Sequence, residues 1–144
     1  MERKKVLVAF GDVIAFTSFS RRGMNPQEDK DIFTDGLYRI FDRVATNPIY
    51  HYVRYAGDGI MVLIELNGKD TVAVCDFLRN VYFMAKKVDG YIKNLTVAPQ
   101  GFRVRVAAGS CNKLYVHERS SPGRIDRRKV PAYVDYPVSV CARL

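Results

Sequence analysis

Two aspartates stand where the surrounding residues do not ask for a charge. Asp12 follows the apolar run Val6-Leu7-Val8-Ala9 and interrupts the stretch FGDVIAFT. Asp58 sits at the centre of Gly57-Asp58-Gly59, between two β-rich runs in IYHYVRYAGDGIMVLIEL. A lone aspartate after an apolar strand is usually a turn or helix-capping residue, and a Gly-Asp-Gly tip is usually turn chemistry. Together, on neighbouring strands, the two carboxylates are the minimum for a Mg²⁺ site. That hard ion takes oxygen ligands, commonly one or two carboxylates with substrate phosphates. Two such ions about 4 Å apart clamp the attacking and leaving oxygens of an in-line phosphoryl displacement. The segment from Ile14 through Ala15 and Phe16 to Thr17 leads into a short helical pattern. Free backbone N–H groups at such a start bind phosphate. No Walker A loop and no nucleophilic triad pattern is present, and His51 and His117 are not spaced as metal ligands.

The elements that would position these residues follow from periodicity. Lys4 to Ala9 reads as a buried strand. From Asp29 to Thr46, Phe33, Leu37, Ile40, Phe41 and Val44 form one helical stripe, ended by Asn47-Pro48. A hairpin follows around Gly57-Asp58-Gly59. Alternation predicts that Tyr50, Tyr52 and Arg54 share one face of its first strand. Lys69 to Leu95 is the longest helical pattern, lined by Val74, Phe77, Leu78, Val81, Met84 and Val88. Phe102 to Ala108 alternates as a strand with Arg103 and Arg105 on its other face. Leu114 to Val116 and Ala132 to Val134 are shorter strand candidates. This order predicts an α+β fold, a ferredoxin-like (palm-type), largely antiparallel sheet with helices packed on it. In such a sheet the first strand and the hairpin lie side by side, and Asp12 and Asp58 converge.

With 144 residues the chain is expected to form a single domain, residues 1–144. No apolar run approaches the roughly 20 residues of a membrane span, and the short apolar run ending at Asp12 does not read as a signal peptide. Cys75, Cys111 and Cys141 are odd in number and widely spaced, and read as buried thiols of a reducing compartment, with cytoplasmic location expected. The net charge of +8 fits an anionic partner. No helix-turn-helix, zinc or RNA-recognition signature accompanies it, so nucleic acid is not the expected partner. The most basic stretch, HERSSPGRIDRRK, reads as a solvated loop.

Four segments, in order, resemble the class III nucleotidyl cyclase catalytic domain. They are FGDVIAFTSFS, RYAGDGIMVLIE, VRVAAGSC and YPVSVCARL. The resemblance implies a head-to-tail homodimer with two active sites at its interface, each using two Mn²⁺ or Mg²⁺ ions. Asp12 and Asp58 match the family's metal-binding aspartates, and Val13 would offer its backbone carbonyl to one metal. Backbone amides of Ile14, Ala15, Phe16 and Thr17 would hold the β- and γ-phosphates. Arg143, from the other subunit, matches the arginine that stabilises the transition state. Ser139 stands where the family usually has a second, asparagine donor. The family's pattern also runs on beyond the position of Leu144, through a helix and more sheet.

The base pocket departs from the family's purine readers. Arg54 stands where adenylyl cyclases carry a base-selecting lysine, and Ala132 stands near the partner position, normally aspartate or threonine. Arg54 offers donors only, which suits carbonyl oxygens or a ring nitrogen, and Ala132 offers no side-chain hydrogen bond. Tyr50 and Tyr52, on the face expected for Arg54, would narrow a purine-sized pocket. Uracil has two carbonyls, and cytosine one with a ring nitrogen. The arrangement is similar to the pyrimidine cyclases of bacterial anti-phage systems, which make cyclic UMP or cyclic CMP as a signal to a separate effector. The expected reaction converts UTP, ahead of CTP, to the 3′,5′-cyclic monophosphate and pyrophosphate. A purine cyclase with an unorthodox pocket and a catalytically silent nucleotide-binding domain are the alternatives.

Overall fold

The computed structural model describes residues 1–14, 28–68, 70–94, 101–121 and 124–134. Side chains are described for all of these except 28–32, 56, 118–121 and 124–128. The elements are β1 (Glu2–Val13), α1 (Glu28–Ala45), β2 (Tyr52–Ala56), β3 (Gly59–Glu65), α2 (Thr71–Lys93), β4 (Phe102–Ser121) and β5 (Arg124–Val134). The strands form one antiparallel sheet in the order β2-β3-β1-β4-β5. This is the expected α+β architecture. The short helical pattern after Asp12 lies outside the described residues.

The two faces of β1 sort the molecule. Leu7, Ala9 and Val13 point to the helices, and with Ile60, Val62, Ile64 and Phe102 they meet Phe33, Leu37 and Phe41 of α1 and Phe77, Val81, Met84, Val88 and Ile92 of α2. Each fully buried side chain of this size contributes roughly 1.5–3 kcal/mol. Val6 and Val8 point the other way, into a smaller cluster with Met61, Leu63, Cys111 and Tyr133. Both stripes expected from periodicity are present, except that Leu78 on α2 is 45% exposed. It stands one residue past buried Phe77, and a 3.6-residue period carries it around to the solvent side. Asp70 starts α2 by accepting the Ala73 N–H at 3.0 Å.

Two local expectations change. The segments 102–108 and 114–116 are parts of one 20-residue strand, β4. The basic stretch read as a solvated loop instead forms the far arm of the β4–β5 hairpin, with register shifts between His117 and Ser121. Polar composition hid it, because the stretch carries no apolar alternation to mark a strand. Pro131 fits β5 as an edge strand, where a missing N–H costs no ladder bond. Of the cysteines, Cys111 is buried but Cys75 is exposed, and Cys141 lies outside the described residues.

Candidate active site

The register of β1 brings the two aspartates together. Asp12 faces Gly59 across the β1–β3 pair, so Asp58 is the next residue along from its cross-strand partner. The Val13 N–H donates to Asp58 Oδ2 at 3.2 Å. Burial raises the Asp58 pKa above the ordinary aspartate value. The negative charge of Asp12 raises it further, while the backbone N–H groups of Asp58 itself and Val13 oppose the rise. A half-buried carboxylate whose ionisation is disfavoured by burial and by a neighbouring negative charge forms a site that a cation relieves.

Part of that relief comes from the chain. Arg103 stands opposite Asp12 in the β1–β4 register. Its Nε and Nη2 donate to Asp12 Oδ1 and Oδ2 at 3.4 and 3.1 Å. Arg103 was legible only as a strand residue facing away from the helices. Nothing in its spacing pairs it with an aspartate 91 positions earlier.

The scaffold holds both carboxylates in place. Gly57 takes a φ of +57°, a left-handed conformation suited to glycine, just before Asp58. Its carbonyl accepts the Tyr38 O–H of α1 at 2.5 Å, and the Tyr55 O–H donates to Asp42 of α1 at 2.6 Å. The β2 side of the hairpin tip is thereby tied to α1 at two points. On β1, a Cβ at Gly11 would come within 2.4 Å of Phe102 Cζ. The glycine before Asp12 therefore lets the Phe102 ring pack flush against the strand. Phe102 is itself fixed through its N–H, which donates to Asp89 of α2 at 3.1 Å.

The carboxylates of Asp12 and Asp58 fit a hard divalent cation. Among the described residues no set of three or more histidine, cysteine, aspartate or glutamate side chains comes together. Two carboxylates would therefore be completed by backbone oxygen, water and substrate phosphate, as Mg²⁺ tolerates. Val13 is 3% exposed with its side chain in the core, so only its backbone is available to such an ion. Ile14 corrects an expectation. Its N–H donates to the Gly101 carbonyl at 2.8 Å, so it is committed within the fold rather than free for phosphate. Ala15, Phe16, Thr17, Ser139 and Arg143 lie outside the described residues.

The expected base pocket is partly rearranged. Tyr50 does not share a face with Tyr52 and Arg54. It packs with the helix-side core, its ring 6.0 Å from Phe77. Burial pushes its pKa up to about 12, and its buried hydroxyl has no hydrogen-bond partner among the described residues. The reason is local. The Tyr50 N–H closes a turn on the Asn47 carbonyl, and the β2 strand with its alternation begins only at Tyr52. Tyr52 and Arg54 do lie on the face opposite the helices, across from Leu63 and Met61. Arg54 is exposed. By strand geometry it lies about 12 Å from Asp12 on the same face, two strands over and two residues along.

The β5 backbone at Ala132 is brought towards this face by a curl of the sheet, while alternation turns the Ala132 side chain the opposite way from that of Tyr133. The register places Tyr133 four strand steps and six residues from Tyr52. In a flat sheet that offset is about 28 Å, yet the two rings are 5.4 Å apart. β5 therefore folds over the face that carries Tyr52. Tyr133 is 6% exposed, its ring buried on that face, and Ala132 is the next residue of the same strand.

No family model and no curated protein matches the sequence. Solved structures do match the fold. The guanylyl cyclase Cya2 is 20% identical with a TM-score of 0.67, over 99% of this chain and 69% of that one. A bacterial light-regulated adenylyl cyclase is 14% identical with a TM-score of 0.68, over 100% of this chain and 70% of that one. The adenylyl cyclase CyaB from P. aeruginosa is 18% identical with a TM-score of 0.60, over 99% of this chain and 71% of that one. At these identities the likeness is one of architecture: the chain has the fold of class III adenylyl and guanylyl cyclase catalytic domains.

Proposed function

We propose that the protein is a divalent-metal-dependent nucleotidyl cyclase that converts a pyrimidine nucleoside triphosphate, UTP ahead of CTP, to the 3′,5′-cyclic monophosphate and pyrophosphate. The observation that carries this reading is the convergence of Asp12 and Asp58 at one end of the sheet, with the Val13 N–H on Asp58 Oδ2. The fold shared with proteins named as adenylyl and guanylyl cyclases supports the same reaction class.

Asp12, Asp58 and the Val13 carbonyl would hold Mn²⁺ or Mg²⁺, two ions per site. Ions held there would supply Lewis-acid chemistry, lowering the pKa of the ribose 3′-hydroxyl and offsetting the triphosphate charge. The 3′-oxygen attacks the α-phosphorus and pyrophosphate leaves. The chain's own residues do the rest. Arg103 adds a guanidinium beside the carboxylates. Arg143 from the second subunit of a head-to-tail homodimer, with the Ser139 hydroxyl, donates to the phosphoryl oxygens where charge develops. Amides of Ala15 to Thr17 take the terminal phosphates. Arg54 donates to base carbonyls, and Tyr52 and the β5 segment at Ala132 narrow the pocket. The product acts as an anti-phage signal in the cytoplasm, read by a separate effector. No helix among the described residues is long and apolar enough to cross a membrane.

Aspartate substitution tests the carboxylate assignment. With Mn²⁺ present, Asp12→Ala and Asp58→Ala should each abolish cyclisation while thermal melting stays cooperative. Retained cyclisation in either variant contradicts the site. The purine cyclases among the similar structures favour a second reading, in which ATP or GTP is the substrate and Arg54 reads a purine. Substrate preference among the four triphosphates separates the two.

A further inference from the structure

A second polar cluster lies at the end of the sheet away from the aspartates. Glu65 closes β3, and its side chain is 8% exposed. Its Oε1 receives Lys113 Nζ from β4 at 2.6 Å and the Tyr133 O–H from β5 at 2.6 Å. The Lys113 side chain is 14% exposed, so the ion pair is nearly out of water. Its ammonium also stands 5.5 and 5.7 Å from the ring centroids of Tyr115 and Tyr133. The Glu65 N–H donates to His51 Nδ1 at 3.1 Å, tying the residue that precedes β2 to the same point. One glutamate thus joins β3, β4, β5 and the approach to β2.

This arrangement has a positional consequence. The curl that replaces about 28 Å of flat-sheet separation by a 5.4 Å ring contact between Tyr52 and Tyr133 is spanned by the hydrogen bonds of Lys113 and Tyr133 to Glu65. Ala132 is one residue from Tyr133, and Arg54 is two residues from Tyr52. The cluster therefore sets how far the edge strand at Ala132 stands from the face that carries Arg54. A buried ion pair is a poor source of net stability compared with apolar packing, but its geometry is specific.

We propose that Glu65, Lys113 and Tyr133 are positioning residues for base recognition, holding the β5 segment at Ala132 over the Tyr52–Arg54 face of β2. The proposal rests on the cyclase reading above. None of the three touches the reacting atoms, since they lie at the opposite end of β1 and β3 from Asp12 and Asp58. Their loss should show in substrate affinity and base choice rather than in the chemical step.

Tyr133→Phe removes one hydroxyl and keeps the ring, and Glu65→Gln keeps an acceptor for Tyr133 while removing the charge. Both are measured with Mn²⁺ and each of the four triphosphates, alongside thermal melting. For the preferred triphosphate, KM should rise about tenfold in Tyr133→Phe, the size of one lost hydrogen bond to a charged group, with kcat within about twofold. Discrimination against the other bases should shrink, and Glu65→Gln, which also leaves Lys113 without its counter-charge, should shift KM and base choice at least as far as Tyr133→Phe. If wild-type protein cyclises a triphosphate but both folded variants keep its KM and base preference, the positioning role is overturned and the cyclase reading stands. A uniform fall in kcat for all four triphosphates, in step with a lower melting temperature, also overturns it, by showing a merely structural role. If wild-type protein cyclises no triphosphate, the cyclase reading fails and the proposal falls with it.

Discussion

At the scale of residues, charge and burial decide which groups matter. The Lys113–Glu65 pair and the Arg39–Asp35 pair look alike as contacts, at 2.6 and 2.9 Å. They differ in setting. Arg39 and Asp35 are 78% and 65% exposed, where a pair is worth about 0.5 kcal/mol or less. Removing one partner of the part-buried Lys113–Glu65 pair leaves a charge with little access to water and costs about 1–3 kcal/mol. Urea melts should therefore show Lys113→Ala far below wild type and Arg39→Ala close to it. The Glu65 pair also makes stability pH-dependent. Burial pushes the Glu65 pKa up, but the hydrogen bonds from Lys113 and Tyr133 and the Lys113 charge outweigh it and hold the pKa below the ordinary glutamate value. Glu65 thus contributes stability in full above its unfolded value near 4.5, and loses it as pH falls through the lower folded value. The stability gap between wild type and Glu65→Gln should narrow on acidification below that range. A constant gap contradicts the linkage.

The aspartate pair was legible because each carboxylate broke a local apolar pattern. Arg103 and Tyr133 were not, because each acts through a partner far away in sequence. Tyr50 misled for the opposite reason. Alternation counts forward correctly only from where the strand begins, and a turn closed on Asn47 delays that start to Tyr52.

At the scale of elements, the site depends on how strand ends are held. Tyr38 and Tyr55 tie the β2–β3 tip to α1 through Gly57 and Asp42. Tyr38→Phe removes one of these ties at a cost of about 1 kcal/mol. Amide exchange at Asp58 and Gly59 should quicken while α2 stays protected. Gly11 works on β1. Its missing Cβ leaves the space that the Phe102 ring fills, at a distance no side chain tolerates. Gly11→Ala should cost about 1–3 kcal/mol by overpacking, and it should weaken Mn²⁺ binding because Asp12 is the next residue. Unchanged stability in that variant contradicts the packing described. Periodicity revealed β1, the hairpin and both helices because each has one buried face. It did not reveal the length of β4 or the hairpin arm of β5, where composition is polar on both sides. The curl that brings Tyr133 onto Tyr52 had no local signature at all, since it sums small twists over five strands.

At the scale of the whole molecule, the proposed site is shared between two subunits, with the aspartates from one and Arg143 from the other. Asp12→Ala and Arg143→Ala should each be inactive alone. Mixed at equal concentration and allowed to exchange, they should regain about a quarter of wild-type activity, because half the dimers are mixed and each mixed dimer keeps one intact site. No recovery on mixing, with exchange confirmed, contradicts a head-to-tail shared site.

On the proposed function, a two-carboxylate site on this fold cyclises a pyrimidine triphosphate. Incubating the protein with Mn²⁺ and all four nucleoside triphosphates together, then identifying the products by mass, tests it most directly. Cyclic UMP is the expected main product, with cyclic CMP second and matching pyrophosphate. Cyclic AMP or cyclic GMP as the main product, or no cyclic nucleotide at all, contradicts it.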